Sequence, residues 1–255
     1  MLYFILEFVI QRERREKGEF MDFVIENGIF EALPDMCVGV VVAKGADNGK
    51  EIPEIAALLD RAISEAEQRF SGKKIKEEAE ILPYRSAFQK LGINPNKYMC
   101  SIEALFTRIA KGKGMPHINP LVDLNNAVSL MYTLPMGTHD LGLSEEDIMI
   151  RYAGPDDRFL PFGAETEETP DAGEIVYAVG NTIRTRRWTW RQSEHGKIDG
   201  ETSYVFFPID GFVGVNDEKV KAAADQLEDL LRQYFGCRTK KGFVDREHPR
   251  MSLEV

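Results

Sequence analysis

Cysteine, histidine and long apolar runs are scarce in this chain, and each scarcity excludes a chemistry. The three cysteines, Cys37, Cys100 and Cys237, stand far apart, with no CxxC pair and no histidine at metal-ligand spacing. Neither a disulfide frame nor a structural zinc is expected, and the setting reads as reduced and cytoplasmic. The four histidines, His117, His139, His195 and His248, are scattered, and no HExxH, GxSxG, GxGxxG or GxxxxGK[ST] motif is present. Classical nucleophilic catalysis, metal catalysis and nucleotide-cofactor chemistry therefore have no sequence support, and no metal or cofactor is expected. The run Leu2–Ile10 is apolar apart from Glu7, too short to span a bilayer. Its positive charges follow the run instead of preceding it, which is the wrong order for a signal peptide. Residues 1–20 read as an extension outside the domain, with an amphipathic docking helix as the alternative, and no membrane partner is expected. Positive charge is also short: 32 Lys and Arg against 42 Asp and Glu give a net charge of −10 and a pI near 5.1. That balance argues against DNA and against indiscriminate RNA binding, which depend on neutralising phosphates, but leaves room for a local basic face.

What is present is a mixed pattern of helix and strand. At 255 residues and 43% hydrophobic content the chain can bury one substantial core. Met36–Ala43 is a β-branched run suited to a buried strand. Positions 55, 58, 59, 62, 63, 66 and 70 form a helical stripe over Ile52–Phe70, with Pro53 tolerated in the first turn. Ser101 is placed to cap the helix that follows and Gly112 to close it, and a further helix is expected from about Pro120 to Met131. Asp147–Tyr152, Glu174–Val179, Ile183–Gln192 and Ser203–Ile209 read as strands, and a last helix opens near Asn216 and closes at Gly236. Helices followed by a run of strands favour an α+β fold of antiparallel or mixed sheets flanked by helices. One domain is expected over 21–245, with a tail over 246–255.

Three segments carry chemistry. Ile118–Leu141, INPLVDLNNAVSLMYTLPMGTHDL, sets Asp123, Asn125 and Asn126 within one helical turn in apolar surroundings. Buried amides and carboxylates need partners or a ligand, because an unpaired one costs roughly 1–3 kcal/mol. In Tyr84–Ala110, Arg85 and Glu103 either pair to fix two helices, or Arg85 grips a carboxylate or phosphate of a ligand. In Arg184–Gln192, a continuous strand puts Arg184, Arg186, Trp188 and Trp190 on one face and Arg187 and Arg191 on the other. Those rings either cover a core or stack a ligand, and Arg184, Arg186, Arg187 and Arg191 form the expected RNA contact. The acidic stretch Glu165–Glu168 reads as a solvated loop.

The first of these segments resembles a block in the editing region, the B3/B4 domain, of the bacterial phenylalanyl-tRNA synthetase β subunit. That block runs V-D-x-T-N-Y-V, an apolar turn, then Q-P-x-H-A-F-D; the matching residues are Val122, Asp123, Asn126, Val128, Pro135 and Asp140. Tyr84–Ala110 is similar to the region that precedes the block in free-standing proteins of this fold, so the resemblance covers roughly Tyr84–Phe212. It implies a B3/B4-like fold and water-mediated, non-covalent hydrolysis of an aminoacyl ester. The family's Thr-Asn pair falls on Asn125 and Asn126, and its pocket histidine falls on Gly137. His139 stands at the family's Phe position. The glutamate that reads a tyrosine hydroxyl falls near Phe207 or Pro208, so no carboxylate is available for that task.

These readings give two expectations. The first is a hydrolase acting in trans on misacylated tRNA, with Asp123, Asn125 and Asn126 placing water. Arg85, Glu103, Gly137, His139 and Trp190 would contact the substrate. The second is a non-catalytic module binding a free amino acid or small molecule on the same scaffold. The partner is then a tRNA acceptor end or a free amino acid.

Overall fold

The structure is a computed structural model that describes residues 21–142, 144 and 146–255. The extension expected over 1–20 lies outside the described residues. In chain order the elements are β1 (Asp22–Ile25), α1 (Asn27–Ala32), β2 (Met36–Lys44), α2 (Pro53–Phe70), a 3-10 turn (Ile75–Glu77), α3 (Leu82–Lys90), α4 (Ser101–Ala110), α5 (Pro120–Tyr132), β3 (His139–Asp140), β4 (Ile148–Tyr152), β5 (Ile175–Val179), β6 (Thr182–Arg186), β7 (Arg191–Gln192), β8 (Tyr204–Phe212), α6 (Asp217–Phe235), β9 (Arg238–Val244) and β10 (Arg250–Ser252). This is an α+β fold. A six-stranded mixed sheet runs β10-β1-β4-β5-β6-β7, and a four-stranded antiparallel sheet runs β3-β8-β2-β9. No helix among the described residues is long and apolar enough to cross a membrane.

β2 explains the layering. It is apolar without alternation because both its faces are covered. Val38, Val40 and Val42 join the core shared with Phe23, Ile25, Tyr177 and Phe206 of the neighbouring strands. Val41 and Ala43 join a second core with Ile55, Leu124, Val128, Val220 and Leu227 from the helices. The four-stranded sheet therefore lies between the six-stranded sheet and a helical layer, and an unbroken β-branched run is the pattern such a strand requires.

Local signals set the element ends. Pro53 opens α2, and the Asn119 side chain accepts a hydrogen bond from the Val122 amide at 3.0 Å to cap α5. α4 starts at Ser101 itself, with Cys100 at the cap position; the Ser101 amide donates to the Thr189 carbonyl at 2.8 Å, so a neighbouring turn does the work expected of the serine side chain. Gly112 at φ 67° ends that helix as its composition suggests. Residues 246–255 are part of the body: β10 pairs antiparallel with β1, and Leu253 is buried. A strand of three residues is too short to leave an alternation in the sequence.

α6 lies close on the second sheet because two strand glycines leave room for Val220. A Cβ added at Gly39 would sit 2.6 Å from a Val220 methyl, and one added at Gly211 would sit 2.5 Å from the other. Gly39→Ala is expected to lower the unfolding free energy by about 1–3 kcal/mol through overpacking. Adding Val220→Ala should return part of that loss, and a strictly additive double-mutant cycle in denaturant melts would refute the account.

Candidate functional site

An open cleft of about 570 Å³ lies between the 3-10 turn, α3, the loop before α4 and α4 itself. Arg85 and Glu103 stand in its wall, with Lys73, Lys74, Lys76 and Lys111 around it. Arg85 projects from α3 and Glu103 from the first turn of α4. Arg85 Nη1 donates to Glu103 Oε1 at 2.6 Å and to the Pro95 carbonyl at 3.0 Å, and Nη2 donates to Asn96 Oδ1 at 2.7 Å. The pair expected to fix two helices therefore exists, and the same pair faces the cleft. The Glu103 side chain is only 3% exposed, and its Oε2 has no partner. Burial holds its carboxyl above the usual carboxylate range, while the charge and hydrogen bond of Arg85, and then Lys76, pull it back.

The Trp/Arg segment is a hairpin, where the sequence suggested one continuous strand. After β6 the chain turns through Arg187 and Trp188, at φ 46° and 60°, before β7. Glu174 enforces the turn. Its carboxylate accepts both arms of the Arg186 fork, at 2.7 and 2.8 Å, and the Arg187 amide at 3.2 Å. Arg186 also reaches Glu168 at 3.0 Å, which ties down part of the acidic loop expected to be solvated. Arg187 pairs with Asp171. Arg184, Arg186 and Arg187 are 7%, 5% and 6% exposed, so burial removes all three from the expected RNA surface, and acid pairing also neutralises Arg186 and Arg187. Arg191 stays exposed. Trp190 is half-buried and packs edge-on against Tyr98 at 4.8 Å, and the Arg187 guanidinium lies 4.0 Å over Tyr98 and 4.9 Å over Trp190. Neither Tyr98 nor Trp190 lines the cleft, although Tyr98 is next in sequence to Met99, which does.

The polar wall expected from α5 does not line the cleft. Asp123 accepts the Ile118 amide at 2.9 Å and pairs with His117 Nδ1 at 2.7 Å, so it ties down the loop before α5. That partner raises the His117 pKa. Asn125 is buried, with its Oδ1 unpartnered. Asn126 is half-buried and, one residue on, points about 100° away around the helix. The Gly137 amide donates to the Pro208 carbonyl at 3.1 Å. His139 is enclosed between Tyr177 and Phe206, with ring centroids at 5.6 and 5.8 Å. Burial, and then the Arg184 charge, lower its pKa to about 3, so it is neutral at ordinary pH. Arg184 itself donates to the Ser144 hydroxyl at 3.1 Å. Among the described residues no three His, Cys, Asp or Glu side chains are gathered for a metal.

Two features escaped the sequence reading. The lysines of the cleft come from 73–76 and 111, too far apart to read as one patch, although GKKIK and AKGKG are basic islands in an acidic chain. Asp210 is the other: a lone carboxylate in the apolar strand YVFFPIDGF, and that isolation was the available signal. Its Oδ1 accepts the Tyr177 hydroxyl at 2.7 Å and the Trp188 indole N–H at 2.6 Å, and the Tyr84 hydroxyl donates to its carbonyl at 2.8 Å. Burial raises its pKa from 3.8 to about 7 despite both hydrogen bonds. Between about pH 4 and 7 the unfolded chain releases this proton while the folded one keeps it, so stability contributed here is lost as pH rises through that window. Asp210→Asn keeps an acceptor for both donors and removes the titration. Its unfolding free energy relative to the native chain is expected to improve from pH 4 to pH 8 by on the order of 4 kcal/mol. A pH-independent difference in chemical melts would count against the buried carboxyl.

No curated protein is similar enough in sequence to match. Among solved structures, an N-terminal fragment of the phenylalanyl-tRNA synthetase beta-subunit from Pyrococcus horikoshii aligns with a TM-score of 0.47 and 11% identity, over 85% of this chain and 49% of that one. The chain thus spans about half the length of that fragment. A family model for the B3/4 domain matches residues 83–236, from the first turn of α3 through the whole of α6. That stretch is more than half of the 255 residues and holds both the Arg85–Glu103 pair and the Trp190 hairpin. The chain belongs to the B3/4 domain family.

Proposed function

We propose that this chain hydrolyses the ester of misacylated tRNA in trans, with the reaction centred on Glu103 in the open cleft. The observation that carries the reading is the state of that carboxylate: one oxygen is held by Arg85 at 2.6 Å, and the other is buried behind the cleft wall without a partner. Membership of the B3/4 family and the resemblance of Ile118–Leu141 to an editing block support the same class of substrate.

The chemistry follows from the geometry. Glu103 Oε2 is shut off from solvent here; once rotation of the side chain opens it to the cleft, it accepts a proton from water as the water oxygen attacks the ester carbonyl. Its raised pKa makes it a stronger base than a free glutamate. The carbonyl π electrons move to oxygen, and cationic donors such as Arg85 and Lys76 stabilise that oxyanion. On collapse the ribose oxygen leaves with the proton, giving free amino acid and uncharged tRNA. No covalent enzyme intermediate forms. Asp123, Asn125 and Asn126 act as supports of the scaffold, since none of them lines the cleft.

One observation favours the non-catalytic alternative, a module that binds a free amino acid: the cleft lining contains neither histidine nor cysteine. Arg85 and the lysines would then hold the carboxylate of the ligand, and Glu103 its ammonium group.

A deacylation panel across mischarged tRNAs separates the two. Native protein is expected to accelerate hydrolysis of at least one aminoacyl-tRNA, Glu103→Gln to lose about 100-fold or more of that rate, and Asn126→Ala to keep it. If the native chain accelerates none, hydrolysis is wrong. Binding of free amino acid then predicts a raised melting temperature, with about 2.7 kcal/mol of stabilisation at 100 times the dissociation constant.

A further inference from the structure

We infer that the interior between β3, β6 and the 193–196 turn holds one small inorganic anion of the halide class, bound by the Arg184 guanidinium. None of these residues lines the open cleft, and the site does not depend on the reaction proposed there.

The first observation is one of charge balance. Arg85, Arg151, Arg186 and Arg187 are all largely buried, and each meets a carboxylate: Glu103 at 2.6 Å, Asp157 at 2.7 Å, Glu174 at 2.7 Å, and Asp171. Arg184 is buried to the same degree, at 7% exposure. Among the described residues no carboxylate comes within 4.0 Å of its guanidinium, and its one hydrogen bond goes to the neutral Ser144 hydroxyl at 3.1 Å. The Asp140 charge acts on Arg184 from farther off. That carboxylate is committed elsewhere, accepting the Gly142 amide at 2.6 Å and the Thr202 hydroxyl at 2.8 Å. A guanidinium cannot shed its proton to escape the cost of burial, so it needs a counter-charge.

The second observation is the donor left over. Arg184 Nε is buried without a partner, and so is His139 Nδ1; the Arg184 charge is felt at His139. Native interiors leave few such atoms. The backbone closes in on the far side of the guanidinium: a Cβ added at Gly196 would fall 2.0 Å from Arg184 Nη1. The Gly196 carbonyl in turn accepts the Asp140 amide at 2.9 Å, which ties the turn to β3. With Gly196 against Nη1 and Ser144 on Nη2, the Nε edge is where an ion binds. That enclosure suits a halide better than a bulky oxyanion. A water molecule would satisfy the Nε hydrogen bond and leave the charge unbalanced, whereas an anion does both.

The test is the stability of the full chain at constant ionic strength, with potassium chloride exchanged for potassium isethionate, a bulky sulfonate. Once chloride exceeds its dissociation constant, each tenfold rise should multiply the folded-to-unfolded ratio about tenfold, and bromide should replace it. Arg184→Met is expected to fold, because exchanging buried charge for an apolar side chain is often neutral or stabilising, and to lose the chloride dependence. Lys240→Gln, on β9, should keep it. A bromide-soaked crystal of the native chain gives a readout that needs no variant. Anomalous density at hydrogen-bond distance from Arg184 Nε supports the site, and water in that position overturns it. Coincident chloride and isethionate melts overturn it too, as does an Arg184→Met chain that responds to chloride like the native one. Glu145→Gln tests a rival counter-charge, the carboxylate next to Ser144 in sequence: a chloride response found only in that variant removes the inorganic ion.

Discussion

A single buried carboxylate organises the interior on which the cleft depends. Asp210 sits on β8 and receives hydrogen bonds from Tyr177 on β5 and from Trp188 in the hairpin turn, so it bridges the two sheets. An ionised group in that position would be costly; a group that stays partly protonated near neutrality, with two donors on one oxygen, is tolerable. The same residue's carbonyl takes the Tyr84 hydroxyl, and Asn216 donates to that hydroxyl at 2.9 Å, which draws α3 and the start of α6 to the same point.

From there the consequences run outward to the surface. Holding the Trp188 indole inside commits the hairpin to its left-handed turn. The turn offers the Thr189 carbonyl to the Ser101 amide, and this sets where α4 begins. Glu103 stands in the first turn of α4, and Tyr84 lies one residue before Arg85 on α3. Both members of the cleft's ion pair are thus registered against the same buried network. Trp190, two residues beyond Trp188, is carried against Tyr98 by the same turn.

Much of this was legible in the sequence where a segment's own pattern is sufficient. The stripe of Ile52–Phe70, the β-branched run of β2 and the Asn216-to-Gly236 helix express local periodicity and punctuation, and each appears within a residue or two. The Arg184–Gln192 turn was not legible, because neither glycine nor asparagine marks it; Glu174 and Asp210, distant in sequence, impose the positive φ angles. His139 was recognised as a notable polar residue but not as an enclosed one, since burial there comes from β5 and β8. The Arg85–Glu103 contact was one of two readings the sequence offered, since their opposite charges suit a pair that fixes two helices but equally suit a ligand grip. The lysine rim was not legible, because a loop after α2 and the end of α4 meet only in three dimensions.

The placement of β2 carries a consequence for how the molecule is made. Its neighbours in the sheet are β8 and β9, and even the sequence-nearest β2–β8 pair, Lys44 with Tyr204, is 160 residues apart. At ordinary ribosomal rates the strand MCVGVVVAK therefore waits on the order of ten seconds before either partner exists. During that interval a run of valines with open backbone edges is available to any other extended chain. Rapid formation of the helical layer over one of its faces would be its early protection, which gives α2 and α5 a part in the yield of the protein as well as in its final shape.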